Sequence, residues 1–192
     1  LTPVAGMGAN EATPLAPVGE YAMSCLGRER VMTALGHRHR SPVVLYRLNY
    51  ACALTYGVLT DLAVKVQAGD PIDVTMSAVN VIWQRDANAI ALMLLSHGAV
   101  PALAVNVTGL ESHTVRSLAM QLGVRLGRTP HFVGVEAADA LLSDARGLRM
   151  RFGDALPVTP LSQLLDWTAE WVAARRPLLG KATKFEVRDG RF

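Results

Sequence analysis

The stretch Tyr21-Ala-Met-Ser-Cys25-Leu-Gly-Arg28-Glu29 lies within residues 17–36, whose apolar spacing predicts a helix. Tyr21 and Cys25 are four residues apart, so a helix brings both side chains to one face. A tyrosine phenol titrates near pH ~10, so at neutral pH it exchanges protons only beside a cation or a polarised hydroxyl. A cysteine is short and mostly neutral at pH 7, and Arg28, one further turn along, would replace such a cation in part.

A purely structural interpretation of the same helix is also open. Helical spacing places Tyr21, Cys25, Met32 and Leu35 on one side, as in an amphipathic helix that buries its apolar face. Under this interpretation, Tyr21 and Cys25 are core side chains without a chemical role. The two interpretations differ in whether the Tyr21 phenol is exposed at a site or buried.

Residues 21–29 resemble the Tyr-x-x-Ser-Lys-x-x-x-Glu helix of the extended short-chain dehydrogenase/reductase family, with Cys25 at the position of the lysine. This family comprises NAD(P)-dependent epimerases and dehydratases. Three further segments are similar to the family in the same order. Residues 41–50 resemble its next core strand and Arg-x-x-Asn exit, residues 79–90 its Val-x-Asp-x-Ala-x-Ala segment, and residues 104–118 its Tyr-Asn-Val-Gly strand and following helix.

The resemblance implies an α/β fold, namely the C-terminal part of a Rossmann-type extended short-chain dehydrogenase/reductase with its smaller α/β substrate domain. Residues 1–54 are predicted to be the remnant of a nucleotide-binding half, with its active-site helix and following strand. Residues 55–192 are predicted to be the substrate-binding α/β region and a C-terminal tail. The family's Gly-rich turn has no clear counterpart, because residues 6–8 look like a loop, so we expect a truncated member.

The implied function is that of an NAD(P)-dependent epimerase, dehydratase or other oxidoreductase acting on a nucleotide sugar or related polar metabolite. NAD or NADP is expected as cofactor only if the missing N-terminal half is present, and no cofactor is expected for this chain alone. Cys25 at the lysine position predicts impaired catalysis. The alternative is a non-catalytic relative that keeps the fold to bind a metabolite or a protein partner.

The resemblance also assigns candidate site residues. Tyr21 would be the catalytic proton shuttle, with Cys25 at the family's lysine position. Tyr21, Leu48 and Asn49 are the candidate cofactor-binding residues. Substrate groups in this family lie on loops, which here makes Asn49, Asn80 and Arg85 the candidate substrate-binding residues. No metal site is predicted, because no cysteine or histidine has a partner at metal-ligand spacing.

Composition limits the remaining classes of function. The net charge is only +3, and its one dense cationic cluster, residues 37–40, is typical of a helix end, so no nucleic-acid binding is predicted. The longest apolar run, residues 87–95, is far shorter than the ~20 residues that span a bilayer, so no membrane role is predicted. Cys25 and Cys52 form no disulfide framework, which fits the cytoplasm. Helices like the Tyr21 helix form dimer interfaces in the family, so a homodimer is expected.

Hydrophobic periodicity and turn residues predict the remaining elements. A helix capped by Thr159, with Pro160 in its first turn, is expected near the C-terminus, and Phe185 and Phe192 are expected to anchor an extended tail. The other helices are expected at residues 56–68, 86–97 and 115–126, and strands at 43–50, 71–76, 102–107 and 131–135.

Overall fold

The protein has an α/β fold, seen in a computed structural model that describes residues 1–190. The helices in this part of the chain are α1 (Gly19–His39), α2 (Val58–Ala68), α3 (Gln84–Leu94), α4 (Val115–Leu126), α5 (Arg146–Phe152) and α6 (Leu161–Ala173). Short 3₁₀ turns, Leu95–His97 and Gly153–Ala155, follow α3 and α5.

The strands form two-stranded ladders. They are β1 (Thr2–Pro3), β2 (Val44–Leu48), β3 (Ala51–Cys52), β4 (Pro71–Asp73), β5 (Ala78–Val79), β6 (Ile82–Trp83), β7 (Leu103–Val107), β8 (His113–Thr114), β9 (His131–Val133) and β10 (Asp139–Ala140). Strand β2 pairs with β7, β3 with β6 and β4 with β9 in parallel, whereas β1 pairs with β10 and β5 with β8 antiparallel. The β2–β7 ladder is the longest, and it aligns Leu48 with Val107 at its carboxyl end.

The predicted helix ends at Gly69 and Gly127 are confirmed. Both glycines adopt a left-handed backbone at the C-terminal caps of α2 and α4, with φ of 77° and 62°. Glycine reaches this region without the steric cost that other residues carry, which is why it marks these ends in the sequence. The apolar runs predicted as strands at residues 43–50 and 102–107 are likewise found, as β2 and β7.

The predicted end of α1 at Gly36 is wrong, and close packing explains the difference. Helix α1 continues to His39, and Arg40 takes the left-handed cap with φ of 51°. Gly36 is buried, and a Cβ atom there would lie 2.7 Å from the Cγ2 atom of Val43. This glycine therefore allows α1 to approach the start of β2, rather than ending the helix.

The predicted cap at Thr159 is also wrong. Helix α6 begins at Leu161, with Pro160 at its cap position. The backbone N–H of Thr159 instead donates a hydrogen bond of 2.6 Å to Asp86 Oδ2, in the first turn of α3. The segment before α6 is thus fixed by a long-range contact with α3, which local sequence signals do not report.

Two hydrophobic cores organise the chain. The helix core lies among α2, α4 and α6, and its buried members include Leu59, Leu62, Leu118, Leu122 and Leu165. The strand core lies between the β2–β7 ladder and helices α3 and α5, and includes Ile90, Leu94, Val105, Val107 and Leu148. Because β2 and β7 come from opposite sides of residue 54, the strand core spans both predicted regions. The division into residues 1–54 and 55–192 stays a prediction.

Helix α1 does not bury an apolar face, so the purely structural interpretation is wrong. Tyr21 is 66% exposed, Met32 45% and Leu35 44%, while Cys25 is partly buried. Gly36 is the one buried residue of α1. These apolar side chains lie on the surface of the chain as described, and the homodimer through this helix stays a prediction.

The C-terminal segment packs as an extended tail, as predicted. Phe185 is 1% exposed within the helix core, which confirms it as an anchor. Phe192, the second predicted anchor, lies outside the described residues. None of the helices in residues 1–190 combines the length and the apolar character that a membrane crossing needs.

Candidate functional site

The candidate site lies at the carboxyl end of the β2–β7 ladder, beside α1. Parallel strands bring their carboxyl ends together, and in α/β folds ligands bind at this edge. An ion pair fixes α1 against β2, since Arg47 donates from Nε to Glu29 Oε1 at 2.9 Å and from Nη2 to Oε2 at 2.7 Å. Glu29 raises the pKa of Arg47 above its ordinary value. This bidentate ion pair fixes the position of α1, and with it that of Tyr21, relative to the strand ends.

A cleft of about 710 Å³ opens at this edge, and we call it the main cleft. Tyr21 of α1, Leu48 at the end of β2 and the adjacent Asn49 line one side of it. Tyr56, before α2, and residues 181–185 of the C-terminal segment line much of the rest. The main cleft therefore brings together three residues that the sequence singled out and a segment that it did not.

A second cleft of about 400 Å³ lies along α1, and we call it the side cleft. Its lining includes Tyr21, Cys25, Glu29, Arg47 and Arg188. Tyr21 lines both clefts, so its side chain stands where they meet. A proton-transferring group at such a junction can reach ligands on either side, which makes Tyr21 the central residue of the site.

The surroundings of Tyr21 favour its protonated form. Cys25 raises the pKa of Tyr21 above its ordinary value, through its charge when ionised and through a side-chain hydrogen bond. Partial burial of Tyr21 acts in the same direction, and Arg28 opposes it. Arg28 itself lies beside the cysteine, with Nη2 3.7 Å from Cys25 Sγ. A lysine in place of Cys25 would act in the opposite direction, because a cation stabilises the phenolate.

The structure brings together Asn49 and Asn80, two of the candidate substrate-binding residues. Asn49 Nδ2 donates to Asn80 Oδ1 at 3.1 Å. Asn80 is only 2% exposed, and its Nδ2 donates to the Ser143 carbonyl at 2.5 Å and contacts Gly109 O at 3.5 Å. The Asn80 amide thus joins three chain segments behind the cleft and orients Asn49, while its role in substrate binding stays a prediction.

We expect Asn80→Ala to lower the free energy of unfolding by about 1–2 kcal/mol, because it leaves partly buried polar groups of Asn49 and Ser143 without this partner. Asn88→Ala, at an exposed asparagine of α3, is the matched control and should leave stability nearly unchanged. Urea denaturation of the two variants measures the difference. Equal unfolding midpoints would show that the Asn80 contacts contribute nothing to the fold.

The remaining candidate, Arg85, does not join this group. It lies exposed in the first turn of α3 and lines neither the main cleft nor the side cleft. Leu48, in contrast, is 49% exposed at the main cleft, where a flat apolar part of a ligand would contact it. Binding roles for Leu48 and Arg85 stay predictions.

Sequence reasoning missed how Cys52 supports the main cleft. The Cys52 thiol is buried, and it donates to the Tyr50 carbonyl, with Sγ 3.7 Å from the oxygen. Burial raises the pKa of Cys52 to about 11, so the thiol stays neutral. Gly57, with φ of 127°, lets the chain pass Cys52, because a Cβ there would lie 2.8 Å from Cys52 Cα. Cys25 and Cys52 are both free cysteines.

The described residues fit an NAD(P) molecule only in part. Tyr21, Leu48 and Asn49, the candidate cofactor-binding residues, all line the main cleft, and their role in binding a cofactor stays a prediction. Residues 6–8 do not form a pyrophosphate cradle, since Gly8 packs with its Cα side against the backbone of Leu142, 2.8 Å from where a Cβ would lie. Within residues 1–190, no cluster of three His, Cys, Asp or Glu side chains is arranged to hold a metal ion.

Comparisons with known proteins support the fold through structure and not through sequence. No protein-family model matches the chain, and a search of curated proteins finds no match. RMD from Pseudomonas aeruginosa complexed with NADPH matches with a TM-score of 0.71 at 18% identity, over 90% of this chain and 62% of that one. UDP-glucose 4-epimerase from Thermus thermophilus in complex with NAD matches with a TM-score of 0.65 at 21% identity, over 86% of this chain and 57% of that one.

A third solved structure, dTDP-glucose 4,6-dehydratase from Bacillus anthracis in complex with NAD, matches with a TM-score of 0.70 at 20% identity, over 87% of this chain and 56% of that one. This chain therefore spans between 56% and 62% of the length of these three proteins. The structures it matches are extended short-chain dehydrogenase/reductase epimerases and dehydratases. The chain has the Rossmann-type α/β fold of the C-terminal part of these enzymes.

Proposed function

We propose that this chain is part of an extended short-chain dehydrogenase/reductase, an NAD(P)-dependent epimerase or dehydratase of the cytoplasm that acts on a nucleotide sugar or related polar metabolite. In this proposal, residues 1–54 belong to the nucleotide-binding half and residues 55–192 to the substrate-binding region. The observation that carries it is the position of Tyr21, which lines both the main cleft and the side cleft at the carboxyl end of parallel strands.

Tyr21 is the proposed proton-transferring residue. A tyrosine phenol is protonated at neutral pH, and the raised pKa of Tyr21 makes it hold that proton more tightly, so it can donate a hydrogen bond to a ligand oxygen but transfers the proton less readily. Bound NAD(P) would supply the hydride chemistry of such an enzyme. Asn49, held by Asn80, presents its amide to the same cleft and is the proposed positioning group for substrate. Cys25 in place of a cation is the feature that impairs catalysis in this proposal.

A second candidate function is binding without catalysis. The observation that favours it is the effect of Cys25, which raises the pKa of Tyr21 where a lysine would lower it. A protein that lost proton transfer would still keep the main cleft and could hold a small metabolite there. The two candidates differ in whether NAD(P) binds and turns over, or whether only a metabolite binds.

Calorimetric titration of NAD⁺ and NADP⁺ tests the proposed function. We expect weak or no binding to residues 1–192, because residues 6–8 form no pyrophosphate cradle, and clear binding once any residues encoded before Leu1 are included. Tyr46→Phe in the longer protein is the control variant and should leave NAD(P) binding unchanged. The Tyr46 hydroxyl donates to Ala87 O, away from both clefts. Absence of NAD(P) binding in both forms would leave only the binding function.

A further inference from the structure

A third cavity, of about 320 Å³, lies apart from the main cleft and the side cleft, and we call it the α3 cavity. Its wall is formed by β6, the N-terminal half of α3, the chain that follows β7 and the segment that leads into α6. No described residue that lines it also lines either cleft. The α3 cavity therefore has no part in the site proposed around Tyr21.

A buried carboxylate lines the α3 cavity without a cation beside it. Asp86 is only 6% exposed, and among residues 1–190 no cationic side chain forms an ion pair with it. Its Oδ2 accepts the hydrogen bond from Thr159 N–H, and its Oδ1 accepts none in this part of the chain. Each fully buried side-chain oxygen or nitrogen described there has a partner, so Oδ1 is open to the cavity. A buried charge is costly unless an opposite charge compensates it.

The other ionisable groups of the wall do not compensate this charge. Besides Asp86, only Glu111 and His113 are ionisable among the described residues that line the cavity, and Glu111 Oε2 lies 3.9 Å from His113 Nε2. Burial lowers the pKa of His113 below its ordinary value, while Glu111 opposes this shift, so the imidazole carries little positive charge at neutral pH. The N-terminus of α3 adds only about half a positive charge. The wall is therefore negative in sum and attracts cations.

The rest of the wall favours an organic cation over a metal ion. The carboxylates and the imidazole do not form a group of three metal ligands, in the cavity or elsewhere in residues 1–190. Much of the lining is apolar, with Ile82, Ile90 and Leu164 among its buried side chains. Trp83 adds an indole ring, which packs on Trp167 with the ring centroids 5.8 Å apart. An indole face attracts an ammonium group, and apolar side chains favour a ligand with a hydrocarbon body.

We propose that the α3 cavity binds a small organic ammonium ion, whose charge pairs with Asp86 and whose apolar body contacts Trp83. The volume of about 320 Å³ is at the lower end of ligand pockets, so the ligand is limited to about one ring or a short chain. This inference goes beyond the proposed function and does not depend on it, because the α3 cavity shares no described lining residue with the main cleft or the side cleft.

The test is calorimetric titration of 2-phenylethylamine, which joins one ammonium group to one ring, into residues 1–192. The matched ligand is 2-phenylethanol, which has nearly the same shape and no charge. We expect the alcohol to bind about tenfold or more weakly than the amine, because it lacks the charge-assisted hydrogen bond to Asp86. This comparison uses the unaltered chain, so it does not depend on how a substitution affects folding.

Two aspartate variants assign the charge to Asp86. Asp86→Asn removes the charge and keeps an oxygen that can accept the hydrogen bond from Thr159 N–H, so the fold should be retained. We expect it to lower affinity for 2-phenylethylamine by about tenfold or more and to leave affinity for 2-phenylethanol nearly unchanged. The matched control is Asp70→Asn, which removes an exposed carboxylate outside the cavity and should change neither affinity.

Fluorescence locates the ligand, because Trp83 lines the α3 cavity and Trp167 and Trp171 do not. The amine should change the tryptophan emission of the unaltered chain, and Trp83→Phe should remove most of that change. Amine binding that Asp86→Asn weakens and Asp70→Asn retains supports the proposal. It is overturned if the unaltered chain does not bind the amine, if amine and alcohol bind equally, or if the two aspartate variants have the same affinity. A change in emission that persists in Trp83→Phe would place the ligand elsewhere and would also refute it.

Discussion

Cys25→Lys is expected to lower the pKa of Tyr21, because an ammonium group four residues along α1 stabilises the phenolate. The substitution also removes the thiol that raises the pKa of Tyr21 in this chain. In a cofactor-bound form, a phenol that exchanges protons at neutral pH should raise turnover by about 10²-fold or more. Absorbance titration of the tyrosines, against the same variant with Tyr21→Phe, measures the pKa.

The matched control for this prediction is Cys25→Ala, which removes the thiol without adding a cation. Because Cys25 is the largest cause of the raised pKa, Cys25→Ala should lower the pKa of Tyr21 part of the way. Arg28 remains in both variants and cannot account for a difference between them. If Cys25→Lys and Cys25→Ala give the same pKa and the same turnover, the lysine position has no catalytic meaning in this chain, and the binding function is favoured.

Local sequence signals predicted those parts of the fold whose causes are local. Helices α2 and α4 follow from apolar spacing and from the glycines that end them, and both predictions are confirmed. Gly36 shows the limit of the same rule. A glycine that ends a helix and a glycine that admits a neighbouring strand look alike in sequence, and only the position of Val43 distinguishes them.

Contacts between distant residues could not be predicted in this way. The Glu29–Arg47 pair that fixes α1 joins residues 18 positions apart, and the Asn49–Asn80 contact behind the cleft joins residues 31 positions apart. Nothing in the local pattern of either residue names its partner. The resemblance placed Tyr21, Leu48 and Asn49 near one site, and the structure brings these three to the main cleft. It gave no indication of residues 181–185, which line much of the rest of that cleft.

The sequence did not indicate that the C-terminal segment lies at the site, and there is a physical reason for this. Its polar residues have no helical or strand period, so the pattern predicted a tail with aromatic anchors and nothing about a site. Its position depends on Phe185 in the helix core and on polar contacts with Asp61 and Lys65 of α2. A side chain that fills the core thus sets where residues 181–185 lie at the main cleft.

We expect Phe185→Ala to lower the free energy of unfolding by about 3–5 kcal/mol, the usual cost of removing a fully buried phenylalanine. The cavity that this substitution leaves would lie under residues 181–185. The segment should therefore also open locally and expose its amides to hydrogen exchange. Urea denaturation and hydrogen exchange measure the two effects.

Leu122→Ala distinguishes a loss of overall stability from a change in the position of the C-terminal segment. Leu122 is fully buried in α4 within the same helix core, so the variant should lose about 2–5 kcal/mol of unfolding free energy. It leaves Phe185 and the contacts between Thr183 and Asp61 in place, so the amides of residues 181–185 should stay protected from hydrogen exchange in the folded protein. Equally faster exchange of residues 181–185 in the two variants would mean that the C-terminal segment responds to overall stability. Faster exchange confined to Phe185→Ala would mean that this one buried side chain positions the segment.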